Sequence, residues 1–190
     1  MPNMLDYLPN KKSTLENKEL ITMSRLDYGK KIDDLLRIFA SSDHEGWHLS
    51  ILGDGEEYGN LNNLIKELKL EKKVTLVGYV PKEKIPPYLS NASIFLMTSL
   101  TEGLPMVLLE AMSYGIPCIA YETASGVNDI IEDSKNGYVI KNRCAKEYVE
   151  ALNKLMHNEK LRKNMGKNTR DTVNNFTSTN ILKKWYTILK

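Results

Sequence analysis

At 190 residues the chain has room for one compact domain, which at this size buries roughly 70% of the surface its extended form would expose. Charged residues make up 26% and hydrophobic ones 42%, which excludes a disordered or coiled-coil chain, and a formal net charge of +2 gives no case for a nucleic-acid partner. The two cysteines, Cys118 and Cys144, lie in apolar or helical surroundings without a CxxC or histidine cluster, so they read as reduced thiols, and no metal site is expected.

Residues 1–19, rich in Pro, Asn and Lys, read as a linker or N-terminal extension rather than a signal peptide. No apolar run approaches the roughly 18 residues that could span a bilayer, so the chain reads as cytoplasmic. Short apolar runs then follow: ELITMSRL (19–26), WHLSILG (47–53), VTLVGYV (74–80), SIFLMTS (93–99), PCIAY (117–121) and GYVI (137–140). Patterns of helical period separate them, over 31–41, 57–69, 82–90, 104–115 and 126–132. This alternation predicts an α/β, Rossmann-like, three-layer domain over 20–175, with a parallel sheet of about six strands and helices on both faces. Three helical stretches follow the last strand, at 143–157, 159–173 and 178–189. The last of them, within a terminal segment 176–190, carries an apolar stripe of Ile181, Leu182, Trp185, Tyr186, Ile188 and Leu189. Such a stripe covers either its own domain or a neighbouring one.

In an open parallel sheet all strand C-termini share one edge, and ligands bind in the crevice there. That rule gathers Arg25 and Lys30 after the first strand, Gly53-Asp54-Gly55 after the second, Gly78-Tyr79-Val80 after the third and Thr101-Glu102-Gly103 after the fourth. In the segment TEGLPMVLLEAM, Pro105 suits the first turn of a helix, which leaves Glu102 and Gly103 in the loop and puts Glu110 in the second turn. This helix is apolar nearly all round and so reads as buried. A carboxylate on it must reach solvent or find donors. Glu110 therefore belongs either to a solvated stripe with Ser113 and Tyr114 or to the vicinal hydroxyls of a ligand such as a ribose. Glu102 is either an ordinary polar loop residue or a ligand contact. The free N–H groups at the helix start form a ready anion site, Gly103 lets backbone approach a ligand, and Arg25 with Lys30 supplies charge for the same anion. An Arg and a Lys in a loop are also often merely solvated.

Two motifs resemble phosphate loops without matching them. SRLDYGKK (24–31) has Ser24 for the first glycine of a P-loop and Lys31 for its hydroxyl residue, and GDGEEYG (53–59) places its third glycine one position late for a dinucleotide fingerprint. His44, His48 and His157 fit surface or capping roles, and Tyr88 among prolines fits packing.

The segment EGLPMVLLE, Glu102 to Glu110, resembles the E-x7-E signature of the retaining GT-B glycosyltransferases called group 1 or family 4. SRLDYGKKIDDLL (24–36), LGDGEE (52–57), VTLVGYV (74–80) and ASGVNDIIEDSKNGYVI (124–140) resemble further motifs of that family in order and spacing. The likeness covers essentially the whole chain.

The resemblance implies one half of a GT-B fold: the C-terminal, donor-binding domain of a two-domain hexosyltransferase that uses a UDP-sugar and retains anomeric configuration. It implies that Arg25 and Lys30 bind the donor diphosphate and, with Glu102 beside the donor sugar, form the catalytic set. Glu110 would take the ribose, Tyr79 and Val80 the base, and backbone around Gly103, Leu104, Met106 and Val107 the sugar hydroxyls and phosphate, with Gly53 also among the residues that bind the nucleotide sugar. No metal or other cofactor is implied. The partners implied are the nucleotide-sugar donor, a saccharide or lipid-linked acceptor in glycan, capsule or cell-surface polysaccharide synthesis, and an N-terminal domain through which the inner face of the membrane could be met. Only a short linker precedes the first strand, so the chain alone is expected to be inactive. A glycosidase-like pairing of Glu102 with Glu110 does not fit these roles. A nucleotide-sugar epimerase of the same fold, a non-catalytic nucleotide-sugar-binding module and an unrelated dinucleotide-binding oxidoreductase domain remain as alternatives. Ser24 and Lys31 stand where the family commonly has glycine.

Overall fold

The computed structural model describes residue 5 and residues 8–182. Strands and helices alternate as the sequence predicts. The strands are β1 (Glu19–Met23), β2 (His48–Leu52), β3 (Val74–Gly78), β4 (Ile94–Met97), β5 (Cys118–Tyr121) and β6 (Gly137–Ile140). The helices are α1 (Ile32–Ala40), α2 (Tyr58–Glu67), α3 (Pro86–Asn91), α4 (Met106–Ser113), α5 (Val127–Ile130), α6 (Ala145–Met156) and α7 (Glu159–Asn174). Each strand but the last is shorter than its apolar run. Past the ladder, Ser24–Leu26, Tyr79–Val80 and Thr98–Ser99 turn into the loops that line the sheet's carboxyl edge.

The six strands are all parallel, in the order β3-β2-β1-β4-β5-β6. Ile21 of β1 sits between Ser50 of β2 and Phe95 of β4 in register. Successive strands are added outward from β1 on one side and from β4 on the other, so the crevice beyond the C-termini of these two parallel neighbours is the topological switch point of a doubly wound sheet.

Both faces of the sheet are covered, and alternate strand residues feed separate cores. Leu20, Leu49, Ile51, Leu96 and Ile119 pack with α1, α2 and α6 around Phe39, Trp47 and Tyr148. Ile21, Met23, Phe95, Met97 and Cys118 pack on the other face with α3, α4, α5 and α7. Helix α4 is pinned on its outer side by α7: Thr169 Oγ1 donates to Met112 O at 3.0 Å, and a Cβ on Gly166 would lie 2.4 Å from Gly115 O. Only a glycine permits that approach.

Among its described residues, the segment before β1, expected to be a linker, has no helix or strand but is tied to the body. Ser13 N donates to Tyr114 O at 3.0 Å, Leu15 is buried, and the Arg162 guanidinium donates to Leu15 O at 3.1 and 3.0 Å. Of the terminal stretch, residues 178–182 are helical and Ile181 is buried against its own domain, while Leu182 is exposed. Trp185, Tyr186, Ile188 and Leu189 lie outside the described residues. Both cysteines are free thiols, with Cys118 buried. Among the described residues no helix is long and apolar enough to cross a membrane.

Candidate functional site

The loop after β1 is built by its neighbours. Ser24 N donates to Leu52 O at 3.0 Å and Leu26 N to Asp54 O at 2.9 Å, so this loop is zipped to the one after β2. The approach is so close that a Cβ on Gly53 would lie 1.8 Å from Ser24 O and one on Gly55 2.3 Å from Leu26 O. The two glycines of the fingerprint-like GDG thus serve loop-on-loop packing. A 3-10 turn, Tyr28–Lys30, follows, and Lys31 adopts the left-handed conformation with φ 53° and ψ 44°. The position where the resembled family commonly has glycine therefore keeps the backbone shape that glycine favours. The Lys31 ammonium lies 3.7 Å over the ring centroid of Tyr28.

From β4 the neighbouring loop is held in turn. Thr98 Oγ1 lies 2.8 Å from Lys31 O, and Leu100 N donates to Gly29 O at 2.8 Å. Arg143, which the sequence did not mark, donates to Ser99 O at 3.1 Å, to Thr98 O at 3.0 Å and to Asp34 Oδ2 at 2.7 Å, and its guanidinium stacks on Tyr121. Beyond Thr101 the chain is braced by the loop after β5: Ser125 Oγ donates to Glu102 O at 3.0 Å, and a Cβ on Gly126 would lie 1.8 Å from Gly103 O.

Two adjoining cavities result. The first, of about 260 Å³, is lined by Arg25, Lys30, Thr98, Glu102, Leu104, Met106 and Val107 with surrounding residues. The second, of about 270 Å³, is lined by Arg25, Gly53, Asp54, Tyr79, Val80, Val107 and Glu110 with others. Ten of the eleven expected site residues therefore line one composite cleft at the switch point. Gly103 does not line it. A Cβ there would meet nothing within 4 Å, so its smallness is not demanded by the room available.

Helix α4 starts one residue later than the proline suggests, with Pro105 preceding Met106 at the cap position. Leu108 N bonds Pro105 O at 3.0 Å, while no described acceptor takes the amides of Met106 or Val107. Both residues line the first cavity, so these amides and the positive end of the helix are available to an anion.

Both cations expected at the anion have carboxylate partners. Lys30 Nζ lies 2.8 Å from Glu102 Oε1, and Arg25, whose side chain is 82% exposed, pairs with Asp27 at 2.9 Å. The solvated stripe weighed for Glu110 is not formed, because Ser113 and Tyr114 are both buried. Ser113 instead turns its hydroxyl back to Glu110 O at 2.6 Å. The Glu110 carboxyl, half-buried between the second cavity and a smaller one beneath Lys82 and Ile85, has its pKa raised by burial, an effect that Lys82 partly offsets. Among the described residues no group of three or more His, Cys, Asp and Glu is placed to hold a metal ion. His48 bonds Glu19 and Thr75, and His44 stacks near Phe39, both away from the cleft.

Comparison with known proteins gives a consistent picture. The sequence model for the family described as "Glycosyl transferases group 1" matches residues 7–172. The chain is 37% identical over 174 residues to the amylovoran biosynthesis glycosyltransferase AmsD of Erwinia amylovora, covering 92% of this chain and 48% of that protein. It is 36% identical over 132 residues to the lipopolysaccharide 1,6-galactosyltransferase of Salmonella typhimurium, covering 68% of this chain and 36% of that one. Among solved structures, the lipopolysaccharide outer core galactosyltransferase WaaB superposes with a TM-score of 0.86 at 28% identity, covering 97% of this chain and 53% of that chain. A point mutant of TarM from S. aureus, solved with fondaparinux, alpha-GlcNAc-glycerol and UDP, gives 0.84 at 27%, with 95% and 36% covered. The chain thus spans about half the length, or less, of these relatives.

Proposed function

The chain belongs to the group 1 glycosyl transferases, and on that premise we propose that it is the donor-binding half of a two-domain enzyme that transfers a hexosyl group from a UDP-sugar to an acceptor hydroxyl with retention. The observation that carries this reading is the meeting of the two cavities at Arg25 and Val107, beneath the N-terminus of α4. A nucleoside fits the second cavity, with Glu110 accepting from the ribose hydroxyls and Tyr79 and Val80 flanking the base. The diphosphate crosses at Arg25 and the α4 amides, and the sugar enters the first cavity beside Glu102 and Leu104, with Gly103 behind them. Developing charge on the leaving nucleotide is stabilised by Arg25, Lys30 and the helix dipole, donors fixed before the reaction begins. Lys30 reaches phosphate by turning from Glu102.

Two relatives are named for amylovoran and lipopolysaccharide synthesis, and TarM was solved with UDP. That supports a UDP-sugar donor and a saccharide or lipid-linked acceptor in cell-surface polysaccharide assembly, with the acceptor held largely by an N-terminal domain. A calorimetric panel of UDP, GDP, ADP and NAD against the chain tests the donor class. Saturable uptake of UDP above the others is expected, whereas a preference for NAD would defeat the reading.

A further inference from the structure

Among the described residues, two side-chain polar atoms are fully buried without a hydrogen-bond partner, Ser24 Oγ and Asp27 Oδ2. The second faces the Arg25 guanidinium at 2.9 Å, so the Ser24 hydroxyl is the one left with neither a hydrogen bond nor a charge. Its backbone has no freedom to swing away. The amide of Ser24 is fixed to Leu52 O at 3.0 Å, and Gly53 lies flat against its carbonyl.

A buried hydroxyl without a partner is unfavourable, and native folds rarely keep one except where something else completes it. What lies beside this one is ligand space. Four residues line both cavities: Met23, Ser24, Arg25 and Val107. In a nucleoside diphosphate sugar the diphosphate is the piece between nucleoside and sugar, so residues common to the two cavities are those that face it. Of the four, Met23 offers a thioether and Val107 its amide, which leaves Arg25 and Ser24 as the side-chain donors.

We propose that the Ser24 hydroxyl is a further specificity-determining contact: it turns about its Cα–Cβ bond out of its buried position and donates a hydrogen bond to a diphosphate oxygen of the bound nucleotide beside Arg25. This rests on the donor-binding reading above and adds a neutral donor to a site otherwise held by cations and backbone amides. Such a donor discriminates by position, because a hydroxyl facing a charged oxygen gains roughly twice as much as one facing a neutral ribose or base oxygen.

The test is calorimetric titration of the wild-type chain and its Ser24→Ala, Ser24→Gly and Arg25→Ala variants with UDP and with uridine, alongside thermal melting of the ligand-free proteins. Both Ser24 variants are expected to bind UDP about tenfold more weakly while uridine binding is unchanged. Ser24→Ala is expected to melt at or above the wild-type temperature, since it removes an unpaired polar group. UDP affinity within twofold of wild type in both Ser24 variants, or equal losses for UDP and uridine, would overturn the inference. A wild-type chain that takes up neither ligand would overturn this inference and the donor-binding reading together. UDP binding that survives in Arg25→Ala but falls in the Ser24 variants would count against the roles assigned above and leave the Ser24 contact standing.

Discussion

Lys30 and Glu102, 72 residues apart in sequence, form an ion pair of 2.8 Å across the gap between the loops after β1 and β4. The pairing of β1 with β4 makes this possible, since it sets those two loops side by side. Both side chains are mostly buried, at 24% and 15% exposure, so the pair is partly shielded from water. A cation expected to meet phosphate is therefore already held by a carboxylate, and on the proposed reading an incoming diphosphate would have to displace it.

Removing that competitor is expected to favour the nucleotide. Glu102→Gln keeps the shape of the side chain but releases Lys30 and withdraws a negative charge from the anion site. UDP affinity should rise about fivefold, equivalent to the ~1 kcal/mol typical of a partly exposed pair. Titrations at low and high salt check it, with the gain shrinking as salt screens the charges. Unchanged or weaker binding would mean that Glu102 does not oppose the diphosphate.

Glu110 offers a stability test with a definite sign. Burial raises its pKa above the ordinary 4.5, so the folded state disfavours the ionised form. Wild-type stability should therefore fall relative to a Glu110→Gln variant as pH rises through 4.5 toward the higher folded value, and level off beyond it. The two proteins should melt alike at the acid end and the variant higher at pH 7, while nucleotide binding is lost. Parallel melting curves at every pH would show that the carboxylate carries no desolvation cost.

Two glycines of the same loop cluster should differ in their tolerance of one methyl group. Gly126 has φ 83°, and its Cβ would lie 1.8 Å from Gly103 O, whereas a Cβ on Gly103 meets nothing within 4 Å. Gly126→Ala should cost more than about 1 kcal/mol, lowering Tm by several degrees, and should weaken binding by pushing on the strand-to-helix loop that carries Glu102. Gly103→Ala should melt within about a degree of wild type. Melting temperatures of the pair decide it.

Much of this was legible in the sequence. The alternation of short apolar runs with helical patterns located all six strands, and the rule that ligands meet a parallel sheet at its carboxyl edge predicts that Arg25, Lys30 and Glu102 meet there. What escaped were facts of pairing rather than of position. Nothing in TSLTEG indicates that Lys30 closes onto Glu102, because their contact depends on strand order. Arg143 lies after β6 and looked like an ordinary basic residue, yet its guanidinium ties the carbonyls of Thr98 and Ser99 to Asp34. The glycines at 53 and 55 resembled a cofactor fingerprint, while their packing against the carbonyls of Ser24 and Leu26 is tertiary and invisible along the chain. The solvated stripe of Ser113 and Tyr114, one of two alternatives for Glu110, fails for a related reason: a polar periodicity on one helix cannot say that tertiary packing buries Ser113 and Tyr114.

The central claim is that one cleft holds a nucleotide with Arg25 at its phosphates and Glu110 at its ribose. Calorimetric titration of UDP into the wild-type chain, Arg25→Ala and Glu110→Ala tests it most directly. Saturable binding to the wild type, lost in both variants while each still melts cooperatively, is the predicted result; binding of equal strength in all three would contradict it.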